Sequence, residues 1–282
     1  ISVYSAMQMV DGHLALGTIA NGLLVLDESG ALVYEIDEIK GLRNNTVLAL
    51  FQDVDQNLWL GLDNGLAYIN LKSPFRVFRD NRGVVGSIYA AAVKDDLLYL
   101  GTNQGLFYRK LDANDEFQLI QGTQGQVWSL NMIDDILFCG HHTGTFIVKG
   151  SRADRIVQIP GTWKVARIPG EQLLLLQGNY DGLYVLSKSA NGWGLRNKIQ
   201  GFDNSARYLE GITGDLRDNH EYKGIFQLKV DEEYRIASEV TTDTTLISHN
   251  SGMVKYQDQL LYGCSDGIFA YDFDSASFVK DS

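Results

Sequence analysis

The chain has 282 residues, 45% of them apolar, with 26 Tyr and Phe together and 29 Gly against only 3 Pro: a globular composition weighted toward strands and turns, with ample material for a core. Its 24 basic and 35 acidic residues leave a net charge of −11, which repels phosphate backbones and anionic surfaces and argues against direct nucleic-acid binding. No run approaches the roughly 18 apolar residues of a membrane helix and no signal segment opens the chain, so membrane insertion is not expected of a sequence that, beginning at Ile1, reads as an excised or processed piece.

One signal recurs from end to end: an apolar triplet, Gly, a short turn, then Gly leading a second apolar strand. In chain order it opens with Leu14-Ala15-Leu16-Gly17 before Gly22-Leu23-Leu24-Val25, a copy with one extra turn residue. The clearest copy follows, Leu58-Trp59-Leu60-Gly61 with Gly65-Leu66-Ala67-Tyr68-Ile69. Next come Leu98-Tyr99-Leu100-Gly101 with Gly105, Leu137-Phe138-Cys139-Gly140 with Gly144, and Gly178 with Gly182. The sixth copy keeps Gly224-Ile225-Phe226 but places Arg217-Asp218-Asn219-His220 where the apolar strand belongs, so a local abnormality is expected there; Gly263 with Gly267 closes the series.

The second glycines are separated by 43, 40, 39, 38, 42 and 43 residues, the period of four-stranded propeller blades. A glycine after a short turn supplies the positive φ that a tight hairpin requires. Upstream of each pair lies another short strand, as in Val3-Tyr4-Ser5, Val47-Leu48-Ala49, Ile88-Tyr89-Ala90 and Val127-Trp128-Ser129, whose small residues suit the crowded innermost position. Turns such as Asp95-Asp96 and Asp134-Asp135 follow, and outer strands such as Ala31-Leu32-Val33-Tyr34 and Ser277-Phe278-Val279 complete the blades.

The fold expected is therefore all-β, a seven-bladed β-propeller of four-stranded antiparallel blades in one domain. The blades run over about 1–40, 41–82, 83–121, 122–159, 160–200, 201–242 and 243–282, and blade one packs on blade seven to close the ring. Cys139 and Cys264 fall three copies apart, too distant for a disulfide.

The stretch Gly41-Leu42-Arg43-Asn44-Asn45-Thr46-Val47-Leu48-Ala49-Leu50-Phe51-Gln52-Asp53, with Asn57-Leu58-Trp59-Leu60-Gly61-Leu62-Asp63-Asn64-Gly65-Leu66, closely resembles the two-component regulator propeller repeat. Gly125-Gln126-Val127-Trp128-Ser129-Leu130, Phe138-Cys139-Gly140-His141-His142-Thr143-Gly144 and His220-Glu221-Tyr222-Lys223-Gly224-Ile225 look like further blades of it. The resemblance implies a periplasmic sensor region of a hybrid two-component or helix-turn-helix regulator, responsive to carbohydrates. It also implies a homodimer in the full-length receptor and a kinase or DNA-binding output in other domains.

Candidate ligand contacts are the turn residues Tyr180 and Tyr222, as platforms for the C–H faces of sugars, and Arg43, Asn44 and Asn45 in a loop entering an inner strand. Both Asn residues serve equally well as turn stabilisers. Trp163 and Trp193 are further stacking candidates, whereas Trp59 and Trp128, inside strands, read as core. His141 and His142 follow Cys139 but lack a second ligand pair at zinc spacing, so as a metal site they read as turn residues and no metal or cofactor is expected, while both stand with the candidate ligand contacts. Asp53-Val54-Asp55-Gln56-Asn57 lacks the glycine and glutamate of a calcium loop and reads as a polar turn like the aspartate-box of sialidases. No nucleophile elbow, phosphate-cradling loop or metalloprotease helix is present, and no acid pair can be singled out. Ligand sensing leads; a glycan hydrolase or lyase and a passive protein-interaction scaffold are the alternatives.

Overall fold

The computed structural model describes residues 1–73, 83–111, 116–212, 215–220, 222–248, 250–257 and 259–280. Every regular element among them is a strand, and the strands form seven antiparallel sheets, one for each copy of the repeat. Six sheets have four strands in sequence order; the second shows three, and the expected fourth falls in 74–82, outside the described residues, as does Glu221. The chain divides into two compact units, residues 1–83 and 84–282.

The first unit holds two blades. Blade one runs Val3–Gln8, Leu14–Thr18, Leu23–Leu26 and Leu32–Ile36; blade two runs Val47–Gln52, Leu58–Leu62 and Gly65–Ile69. Their facing sheets share one apolar cluster built on Ala15, Leu23, Val25, Val47, Leu58 and Leu60, each with no exposed surface.

The second unit holds blades three to seven, whose inner strands are Ile88–Lys94, Val127–Ile133, Lys164–Arg167, Tyr208–Ile212 and Gly252–Tyr256, each beside the next. Apolar clusters fill the gaps between blades; the largest joins Leu176, Leu183 and Val185 of blade five to Leu209, Leu216, Phe226 and Leu228 of blade six. Asp95, Asp96, Asp134 and Asp135 all take positive φ, so both Asp pairs form the primed hairpin turns that match strand twist.

The two glycines of the repeat have different tasks. The second always has positive φ, from 70° at Gly22 to 152° at Gly105. In blades one, four and five the first is needed for space against the backbone of the next blade: a Cβ on Gly140 would lie 2.6 Å from the Thr162 carbonyl oxygen.

Blade six corrects the expectation of a local abnormality. Asp215–His220 pairs along its length with Tyr208–Ile212 and with Gly224–Val230, so the polar sequence makes a regular strand. Its chemistry remains unusual, because Arg217, Asp218 and Asn219 are all buried. Asn219 stands at the first-glycine position, and its amide donates to Ser251 Oγ at 2.9 Å where other blades leave room for backbone. The two cysteines are free; Cys139 lies in the core, where burial pushes its thiol up to about 12.

Candidate functional site

In blades three and four the inner strand carries a bulge at its start: the register slips between Ile88 and Ala90 and between Val127 and Ser129. Tyr89 and Trp128 are the residues stepped over, and a bulge re-aims such a side chain out of the strand's alternation. Ala90 and Ser129 pair with Gly101 and Gly140. The residues at the same repeat position in blades five and six are Trp163 and Arg207, just before Lys164 opposite Gly178 and Tyr208 opposite Asn219.

These side chains form a continuous arc. Ring centroids lie 5.1 Å apart for Tyr89 and Trp128, 4.7 Å for Trp128 and Trp163, and 5.1 Å for Trp163 and Tyr180, which joins from a hairpin turn of blade five. The Arg207 guanidinium caps the arc, 5.2 Å from the Trp163 ring and 5.0 Å from that of Tyr208. Tyr89 is 47% and Tyr180 40% exposed, while Trp128 and Trp163 are half-buried.

Hydrogen bonds lock the rings. Trp128 Nε1 donates to Tyr180 Oη at 2.7 Å, and Trp163 Nε1 donates to Ser205 Oγ at 2.9 Å. Tyr180 is itself held by Gly161, whose φ of 79° and missing Cβ let the phenol ring lie directly on the backbone, and whose carbonyl accepts the Tyr180 N–H at 3.1 Å. Desolvation raises the Tyr180 phenol above its ordinary pKa. With both indole N–H groups engaged, what the arc offers a ligand is ring face, the surface that packs on C–H groups.

Among the other expected contacts, His142 plays in blade four the part of Tyr180 in blade five. Its ring lies on Gly125 and its Nδ1 accepts the Gln126 N–H at 3.1 Å. His141 is 1% exposed; Nδ1 accepts the Thr143 N–H and Nε2 reaches the Thr123 carbonyl at 3.3 Å, which fixes a neutral ring with its proton on Nε2. Desolvation first, then His142, lowers its pKa to about 4. Tyr222 is 64% exposed on the blade-six hairpin, its ring 6.2 Å from His220.

Arg43, Asn44 and Asn45 lie in the first unit. Arg43 is exposed; Asn44 Oδ1 accepts the Thr46 N–H at 2.7 Å, and Asn45 Oδ1 accepts the Glu38 N–H at 2.8 Å, so both amides shape the entry to blade two. Asp53 accepts the N–H groups of Asp55 and Asn57 and the indole of Trp59 at 2.9 Å, which makes the segment a closed polar turn and lowers the carboxyl's pKa. The core assignment of Trp59 and Trp128 does not hold: Trp59 is 40% exposed and Trp128 belongs to the arc. Trp193 is the buried tryptophan, 8% exposed and edge-on to Phe138. Among the described residues no cluster of three or more His, Cys, Asp or Glu could hold a metal ion.

The model of the two component regulator propeller family matches residues 41–64, the loop and hairpin of blade two. Among solved structures, the extracellular domain assigned to a hybrid two-component system of B. thetaiotaomicron superposes with a TM-score of 0.71 at 14% identity, over 98% of this chain and 40% of that one. The extracellular domain of a one-component system of the same organism gives 0.56 at 17% identity, over 99% and 43%. The WD40 β-propeller domain of Doa1 gives 0.52 at 11% identity, over 99% and 81%. The chain thus spans about two fifths of the length of the first two. No curated protein matches it. At these identities the likeness carries the fold, a β-propeller, and the seven sheets are its blades.

Proposed function

We propose that this chain, whose residues 41–64 match the model of the two component regulator propeller family, is the ligand-sensing propeller of a bacterial signal receptor and recognises its ligand on the aromatic arc of blades three to six. The observation that carries the reading is the arc itself, four consecutive rings, three of them held by hydrogen bonds, capped by a guanidinium. Protein interiors bury such rings; a run of them left half-open on a rigid scaffold is a recognition surface.

The ligand class is carbohydrate, since ring faces with their N–H donors already engaged suit the C–H faces of pyranoses. The extracellular placement of the two B. thetaiotaomicron domains supports a periplasmic location, and their systems support a regulatory output carried by other domains of the receptor, a kinase or a DNA-binding module. We read the propeller as non-catalytic: it binds and transmits, with a homodimer as the transmitting form.

The test is a thermal-shift and calorimetric screen of saccharides against the chain and its Trp163→Ala variant. A saccharide should raise the melting temperature of the parent chain by mass action and lose its effect in the variant. Binding that survives Trp163→Ala unchanged would place the ligand elsewhere, and turnover of a glycan would replace sensing with catalysis.

A further inference from the structure

In the repeat, the residue before the first glycine is Leu16, Leu60, Leu100, Cys139, Gln177 and Tyr262 in blades one to five and seven; in blade six it is Asp218. Asp218 has no exposed surface, and among the described residues neither carboxyl oxygen has a hydrogen-bond partner of normal geometry. Its cross-strand partners, Leu209 and Phe226, both belong to the apolar cluster between blades five and six, so the carboxyl shares the face that packs on Leu176, Leu183 and Val185. A charge there is unfavourable, because low dielectric and missing partners both oppose ionisation.

The ionisable surroundings are few. Lys164, on the inner strand of blade five, favours the carboxylate at a distance but is itself bonded to Glu210 at 2.6 Å, and the Tyr208 backbone N–H helps the anion slightly. On its own strand His220 shares the Asp218 face, while Arg217 and Asn219 turn the other way, toward Tyr271 and Ser251 of blade seven. From the second and third strands of blade five the facing groups are apolar.

We propose that Asp218 makes blade six a proton-controlled latch: with the carboxyl protonated the blade seats against blade five, and loss of the proton loosens the inner strand Tyr208–Ile212. Desolvation, its leading influence, holds the carboxyl's pKa well above the ordinary carboxylate value. The folded chain therefore keeps a proton that the unfolded chain gives up above about pH 4, and stability falls as pH rises from there toward the folded pKa. The strand it loosens begins beside Arg207, which caps the arc, so the latch bears on the recognition surface. The inference rests on the blade packing and not on the ligand's identity.

The test compares the parent chain with Asp218→Asn and with Asp218→Leu, the residue type that other blades carry at this position. Amide exchange at Tyr208–Ile212, corrected for base catalysis, and melting temperature are followed from about pH 5 to about pH 8. The parent should lose protection and stability with rising pH, by up to about tenfold in the opening equilibrium per pH unit, while both variants hold level. Parallel profiles in all three proteins, or variants less stable than the parent at the upper end of the range, would overturn the latch. Should the Asn variant fail to fold, the Leu variant decides alone.

Discussion

Gly140→Ala is the sharpest check on the claim that the first glycine in blades one, four and five exists for blade-to-blade approach. Gly140 lies outside the positive-φ region, so alanine adds no backbone strain and only the methyl group matters. That methyl would stand 2.6 Å from the Thr162 carbonyl oxygen and 2.5 Å from Ser129 Oγ. The hydroxyl can rotate away, but the carbonyl is fixed, since the N–H of Thr162 donates to the His141 carbonyl at 3.1 Å and its hydroxyl lies 2.9 Å from that of Thr145. Blade five must then retreat, at a cost of about 1–3 kcal/mol for overpacking with about 1 kcal/mol more for a weakened hydrogen bond. In a cooperative unit of this size each kcal/mol lowers the melting temperature by roughly 2–4 °C, so a drop on the order of 5–15 °C is expected. Gly194→Ala, at a glycine also outside the positive-φ region with nothing within 4 Å of the added Cβ, is the control and should shift it by no more than about 2 °C. If Ser129→Gly restores the Gly140→Ala variant fully, the obstruction was the side chain and the close-approach argument fails.

Three further outcomes follow from the same geometry. His141 stays neutral in the folded chain until about pH 4 while the unfolded chain protonates near 6.5, so denaturant stability should fall as pH drops through that window, and His141→Gln should flatten the fall; equal slopes would show that His141 is not the group responsible. A thiol-reactive probe should label Cys264 in the native state and Cys139 only on unfolding, read by mass spectrometry; early labelling of Cys139 contradicts its burial. Tyr180→Phe removes the acceptor of the Trp128 indole, which should redshift and broaden tryptophan emission and weaken saccharide binding several-fold while altering melting temperature little, whereas an unchanged spectrum would mean that the bond does not order the arc.

Most of the fold was legible in the sequence because two backbone requirements write themselves as glycine. The hairpin needs positive φ at Gly22, Gly65 and their equivalents, and the blade gap needs a missing Cβ at Gly17, Gly140 and Gly178, so the repeat is written in glycine whatever the apolar side chains around it. The Asp turns were legible for the same reason. Trp128 was misplaced because strict two-residue alternation puts it in the core; a bulge, which no single residue type announces, moves it out. Trp163 and Tyr180 meet through strand pairing within blade five and Arg207 joins them only through the packing of blade six, so a partnership between residues this far apart along the chain leaves no local trace. In blade six the polar residues argue against a strand by propensity, and backbone pairing on both sides overrides them.

The bulge also explains how one scaffold carries variable recognition. In blades one to four the residues opposite the first glycine, Ser5, Ala49, Ala90 and Ser129, are small, whereas blades five and six carry Lys164 and Tyr208 there. The residue before it, stepped over by a bulge in blades one to four and lying just ahead of the paired strand in blades five to seven, is Tyr4, Leu48, Tyr89, Trp128, Trp163, Arg207 and Ser251 in turn. Aromatic, aliphatic, cationic and hydroxyl side chains thus occupy one backbone position without altering the ladder beside it. A substitution at this position should change what is bound far more than whether the chain folds, while a substitution one residue later should do the reverse.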